Sequence, residues 1–139
     1  MATNSVISIV DDDQSVREGT RDLIEAMGFV AATFDCAEKF LESDLMNTTA
    51  CLIADVRLPG MTGLALHDRL VRFGKRIPTI LITAFPKEKE RVRALQANAI
   101  CYLTKPIVES ELIACIRAAF ESQEGGTGEV LLNKRVGKP

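Results

Sequence analysis

The residues of this 139-residue chain able to do chemistry are few and unevenly placed. Asp11, Asp12 and Asp13 stand consecutively, Asp55 follows at a distance, and Thr83 and Thr104-Lys105-Pro106 come later. Three adjacent carboxylates repel one another, and a fourth beside them worsens the repulsion until a cation resolves it. Mg²⁺ suits such a set, because it takes oxygen ligands: one or two carboxylates, with waters and phosphate oxygens completing an octahedron. A carboxylate can also attack phosphorus to form an acyl phosphate, and the protein then mainly holds the donor in line and neutralises the equatorial oxygens. In that chemistry Asp55 accepts the phosphoryl group. Mg²⁺ covers one oxygen, the Lys105 ammonium a second, and the Thr83 hydroxyl with the backbone N–H groups after Asp55 the third. Each residue alone has a plainer reading: Asp11 to Asp13 as a loop capping the next helix, Lys105 as an exposed loop lysine, Thr83 as a strand-end hydroxyl. Their joint placement carries the argument.

That placement depends on the elements between them. Short apolar segments at 6–10, 29–33, 50–54, 79–83 and 99–103 alternate with amphipathic stretches, the pattern of β and α units around a parallel sheet. All but the Ala-rich second are nearly continuously apolar, as strands covered on both faces must be; the second reads as an edge. Between them, Ser15 to Glu18 and Asp35 to Glu38 offer capping boxes for the first two helices, and a third helix follows Gly63. A fourth, about 87–98, has only the thin apolar stripe of Val92 and Leu95, with Glu88–Arg91 and Glu90–Arg93 at i, i+3 spacing. A fifth, about 109–121, carries Leu112, Ile116, Ala119 and Phe120 on one face. In an open α/β sheet ligands sit beyond the carboxyl ends of the strands, which is where Asp11 to Asp13, Asp55, Thr83 and Lys105 fall.

Composition narrows the class. Seventeen basic against 19 acidic residues give a net charge of −2, without the basic surplus of a phosphate-contacting nucleic-acid binder. No apolar run approaches the roughly 20 residues that span a bilayer, and the first residues lack the features of a signal peptide. These features predict a cytoplasmic protein without direct nucleic-acid or membrane contact. Cys36, Cys51, Cys101 and Cys115 lack zinc-site spacing and sit among apolar neighbours, so buried reduced thiols are expected. His67, beside Asp68 and Arg69, is expected at the surface.

Ile9-Val-Asp-Asp-Asp13, Asp55-Val-Arg-Leu-Pro-Gly-Met-Thr-Gly63, Leu81-Ile-Thr-Ala84 and Tyr102-Leu-Thr-Lys-Pro106 resemble, in order and spacing, the receiver domain of bacterial two-component response regulators. The resemblance covers about residues 5 to 121, and the Asp55 to Gly63 stretch looks most like receivers of nitrogen-fixation-type transcription regulators. It implies a flavodoxin-like (βα)5 three-layer sandwich with sheet order 2-1-3-4-5. It implies that Asp55 is the phosphoacceptor, that Asp11, Asp12, Asp55 and the Arg57 backbone carbonyl hold Mg²⁺, and that Lys105 pairs with the phosphate. Thr83 and Tyr102 become the switch pair, and Lys105–Pro106 is expected to be cis. Asn98 stands where the family usually has glycine, and Asn tolerates the same left-handed turn. Phe85-Pro86 departs from the family at the entrance to the fourth helix.

Residues 1–122 are thus read as a receiver domain and 123–139, which contains the Glu124 to Gly128 break, as a flexible tail. The expected protein is a signalling switch and not an enzyme in the ordinary sense, catalysing only its own Mg²⁺-dependent phosphorylation and dephosphorylation. A histidine kinase or histidine phosphotransfer protein supplies the phosphate, and a downstream protein target or a phosphorylation-dependent homodimer receives the signal. Three other readings compete: the receiver fragment of a longer DNA-binding regulator, a binding module that never carries phosphate, and an Asp-x-Asp phosphatase starting at Asp11. The last needs a further acidic cluster after the lysine. None stands at a strand end there.

Overall fold

The computed structural model describes residues 5–123. Five strands, β1 (Val6–Val10), β2 (Val30–Phe34), β3 (Thr49–Asp55), β4 (Thr79–Thr83) and β5 (Cys101–Thr104), form one parallel sheet in the order β2-β1-β3-β4-β5. The helices are α1 (Gln14–Ala26), α2 (Ala37–Glu42), α3 (Gly63–Arg72), α4 (Glu88–Gln96) and α5 (Glu109–Gln123), with a 3-10 turn at Asp44–Asn47 that the sequence reading lacks. This is the flavodoxin-like order expected. Of the tail expected at 123–139, Gln123 is the last residue of α5, and residues 124–139 lie outside the described residues.

Side chains alternate across each strand, so every central strand feeds two cores. Ile7, Ile9, Cys51, Ile53, Ile80 and Ile82 point toward Ile24, Leu112 and Ile116 in one core. Val10, Leu52, Ala54 and Leu81 point toward Phe40, Leu66, Leu70 and Ala94 in the other. Truncating one of these buried aliphatics to Ala costs about 2–5 kcal/mol. Ser8, the polar exception in β1, donates to the Thr49 hydroxyl at 2.7 Å, whose own proton goes to the Leu45 carbonyl.

Several local expectations are corrected. Asp13, not Ser15, caps α1, accepting from the Val16 N–H at 3.2 Å. Asp35 does not cap α2; it pairs with Lys39 one turn on, and α2 begins after Cys36 without a side-chain cap. In α4 Val92 is exposed and Ala94 is the buried residue. Glu88 pairs with Arg91 as expected, whereas Glu90 turns away from Arg93 to partners on other elements.

His67 is buried, contrary to expectation. Its neighbours in sequence misled, because adjacent helical residues point in different directions. Gly63, Leu66, His67 and Leu70 share the i, i+3, i+4, i+7 stripe that α3 lays on the sheet. Burial holds the imidazole pKa below its ordinary 6.5 against a weaker opposing pull from Asp68.

The four cysteines are not all thiols. Cys51 is fully buried and free, its pKa pushed up to about 12 by desolvation, and Cys36 is free and half-buried. Cys101 in β5 and Cys115 in α5 form a disulfide, with Cα atoms 6.2 Å apart. Fourteen residues separate them in sequence, and only the packing of α5 back onto the sheet brings them into bridging range.

Two outcomes follow. A bridge closing a loop of this length stabilises by about 3 kcal/mol, so a thiol reductant should lower the melting temperature by roughly 10 °C. Cys101→Ser should melt at the same temperature with and without reductant; an unbridged wild type would show the same indifference. For His67, the native pKa lies below the unfolded one, so the stability of keeping it neutral is complete above pH 6.5 and is lost as pH falls through the native value. Urea unfolding across that window should show a shallower pH dependence for His67→Leu than for wild type, and parallel curves would contradict the assignment.

Candidate functional site

Register decides what meets at the carboxyl edge of the sheet. Val10 lies opposite Ala54, Asp55 opposite Ile82, and Thr83 opposite Thr104. The residues that follow β1, end β3 and β4, and follow β5 are therefore neighbours across one rim.

The three consecutive aspartates divide their work. Asp11 is fully buried, anchored by its N–H to the Phe34 carbonyl and by its own carbonyl to Arg17 at 2.8 Å. Its Oδ1 accepts from the Asp13 N–H at 2.9 Å. Asp12 is exposed, and Asp13 serves as the cap of α1. The capping reading of this loop is met by Asp13, and Asp11 and Asp12 take no part in the cap.

Asp55 closes β3 almost fully buried. Its Oδ1 accepts from the Arg57 N–H at 2.8 Å, and its Oδ2 from the Lys105 ammonium at 2.7 Å. The same ammonium stands 3.0 Å from Asp11 Oδ2, so one cation is shared by two buried carboxylates. Lys105 is held at this position by its N–H bond to the Thr83 carbonyl at 2.8 Å, and the Lys105–Pro106 peptide bond is cis. Burial alone would lower the Lys105 pKa, but its hydrogen bonds to Asp55 and Asp11 outweigh that and raise it. Asp11 is raised above the ordinary carboxylate value, chiefly by burial and further by Asp55, against the opposing Asp13 N–H and Lys105.

One carboxylate oxygen of each of Asp11, Asp12 and Asp55 lies within 4.8 Å of the others. Asp11 Oδ2 is buried, and what meets it is the ammonium it shares with Asp55, at 3.0 Å. Three carboxylates so close together, with one ammonium between two of them, are hard oxygen donors in excess of the local positive charge, so these residues fit Mg²⁺.

Behind Asp55 the chain has no spare room. A Cβ on Gly63 would strike the Asp55 carbonyl oxygen, so only glycine lets α3 start where it does. The loop is closed by Gly63 N–H to the Val56 carbonyl at 3.0 Å and by Val56 N–H to the Ile82 carbonyl at 2.7 Å. Gly60, at positive φ, passes Glu38, whose carboxylate accepts from the Met61 N–H.

Thr83 is buried at the end of β4, its hydroxyl accepting from the Phe85 N–H at 3.1 Å. Phe85 itself is 66% exposed. Tyr102 does not join the carboxylate cluster. Its hydroxyl donates to Glu90 at 2.9 Å and accepts from the Lys87 N–H at 3.2 Å, while its ring packs on the core beneath α3 and α4. Asn98 adopts the left-handed conformation at φ 71°. Sequence reasoning missed Glu90, whose i, i+3 spacing pointed to Arg93, and missed why Gly63 must be glycine.

With Lys105 removed, two buried carboxylates lose their shared counterion. In metal-free buffer Lys105→Met should lose about 3 kcal/mol in urea unfolding. A variant as stable as wild type would show that the ammonium does not balance this pair.

Comparison with known proteins follows the same residues. The sequence profile described as "Response regulator receiver domain" matches residues 7–117. Nodulation protein W of Bradyrhizobium diazoefficiens is 35% identical over 120 residues, covering 86% of this chain and 53% of that protein. Response regulator protein TodT of Pseudomonas putida is 38% identical over 117 residues, covering 84% and 52%. The chain thus spans about half the length of these curated relatives. Among solved structures, response regulator StyR superposes with a TM-score of 0.77 at 36% identity, covering 96% of this chain and 70% of that one.

Proposed function

Because this chain belongs to the response regulator receiver family, we propose that Asp55 accepts a phosphoryl group from a histidine kinase or histidine phosphotransfer protein and that the domain then changes its protein-binding face. The observation that carries this reading is the Lys105 ammonium held between the buried carboxylates of Asp11 and Asp55. In the transfer, an Asp55 carboxylate oxygen attacks phosphorus, a P–O bond forms, the P–N bond to the donor histidine breaks, and the departing imidazole keeps the electron pair and takes a proton. Asp55 needs no activating base, since an ionised carboxylate is already the nucleophile. Lys105 follows the charge, passing from the Asp55 carboxylate to a phosphoryl oxygen, and backbone N–H groups after Asp55 with the Thr83 hydroxyl receive another. Asp11, Asp12, Asp55 and the Arg57 carbonyl would hold Mg²⁺, which supplies electrostatic neutralisation of phosphoryl charge. Hydrolysis of the acyl phosphate by the same groups returns the domain to rest.

Thr83 and Tyr102 are the proposed switch pair. A phosphoryl group at Asp55 offers strong acceptors, and turning the Thr83 hydroxyl toward them gives up the Phe85 N–H it holds now. The face to be altered is built from α4, β5 and α5. Residues 1–122 act as the receiver in this proposal, with 123–139 as an appended tail. No helix among the described residues is long and apolar enough to cross a membrane, in keeping with a cytoplasmic site of action.

A second reading is favoured by one observation. Since the relatives are about twice as long as the matched region, these residues would serve as the receiver of a longer DNA-binding regulator, or as a receiver working alone. Either way the chemistry at Asp55 is the same.

Incubation with Mg²⁺ and radiolabelled acetyl phosphate should give an alkali-labile label on the wild type and none on Asp55→Asn. Label of equal intensity on Asp55→Asn would remove Asp55 as the acceptor and reopen the phosphatase reading centred on Asp11.

A further inference from the structure

Helix α4 is attached differently from its neighbours. Ala94 is its buried residue, and its N-cap, Lys87, offers no side-chain cap. A helix held by so little apolar contact depends on what fixes its first turn. Glu90 occupies the third helical position, where in a capping box a glutamate reaches back to the backbone N–H of the N-cap. Here the Tyr102 hydroxyl is inserted into that box. It accepts from the Lys87 N–H at 3.2 Å and donates to Glu90 Oε1 at 2.9 Å. The other carboxylate oxygen, Oε2, lies 3.4 Å from the Arg57 guanidinium, whose own backbone N–H is bonded to Asp55. Glu90 is correspondingly shielded, with a side chain 18% exposed against 71% for Glu88 in the same turn.

We propose that Glu90 is a positioning residue that holds Tyr102 and Arg57 together in the unphosphorylated domain and releases both when Asp55 is phosphorylated, closing directly on the Lys87 N–H instead. This rests on the reading of Asp55 as acceptor. Both arrangements keep the first turn satisfied. With Tyr102 present the hydroxyl bridges the box, and with Tyr102 gone the ordinary capping box forms. A guanidinium drawn to phosphoryl oxygens, which suit it better than one lateral carboxylate, is what tips the balance. The device therefore couples the residue two places beyond the acceptor to the only tyrosine in the chain.

That tyrosine, in a protein without tryptophan, makes the coupling directly visible. A phenol bonded to a carboxylate emits weakly, so ultraviolet-excited emission, read against Glu90→Gln as the reference without the carboxylate, reports the Tyr102–Glu90 contact. The full chain is titrated with beryllofluoride and Mg²⁺, with binding at Asp55 followed independently by fluorine NMR. In the wild type, emission should rise as the mimic binds. Glu90→Gln should be bright before addition and should bind the mimic about fivefold more tightly, because a tie to the resting state is gone. Arg57→Gln should bind the mimic less tightly than the wild type, because the guanidinium's contact with it is lost, and Glu90→Gln should tighten binding by less in that background than alone, since part of the tie is already gone. Mimic bound with wild-type emission unchanged, or additive effects of the two substitutions, would overturn the role of Glu90 while leaving Asp55 as acceptor. Failure of the mimic to bind the wild type at all would overturn both.

Discussion

One ammonium between two buried carboxylates organises this molecule. Asp11 and Asp55 are held side by side by the pairing of β1 with β3, at a depth where two negative charges could not persist alone. Lys105, arriving from the far side of the sheet, makes their proximity tolerable. The compensation is incomplete, because one ammonium serves two buried carboxylates and Asp12 adds a third negative group at the rim. A surplus of negative charge over one movable cation leaves the pocket suited to a divalent ion and to an arriving phosphoryl group.

The sheet order makes that meeting possible. With β1 and β3 adjacent and β4 and β5 continuing outward, the chain passes the same edge repeatedly, and each passage leaves one polar residue there. The apolar side chains below it set the register, since a one-residue slip would turn Ile7, Ile9, Ile53 and Ile82 into the wrong core. The precision of the polar rim is thus supplied by residues that take no part in its chemistry.

The strands and the rim were legible because near-continuous apolar runs have few alternatives and because Asp11, Asp55, Thr83 and Lys105 each follow or end one. What stayed hidden was tertiary. His67 is indistinguishable from a surface histidine until the phase of α3 is known. The Cys101–Cys115 bridge depends on how α5 folds back, which spacing along the chain does not encode. Asp13 outcompeted Ser15 as a cap through the geometry of the preceding turn. Glu90 had an equally good partner in sequence, Arg93, and only the placement of α4 against Arg57 and Tyr102 separates the two.

The contact of Gly63 with the Asp55 backbone also bears on how the molecule deforms. On that flank α3 abuts the β3 terminus without clearance and buries a full stripe of side chains, so the flank is mechanically stiff. Beside it α4 is held with less apolar contact, by polar ties from Glu90 and Lys87 around a buried alanine. A load applied at the rim between them is transmitted mostly into the softer side. The heading of any displacement is therefore set by the contrast in rigidity between two helices, whatever the chemical source of the push.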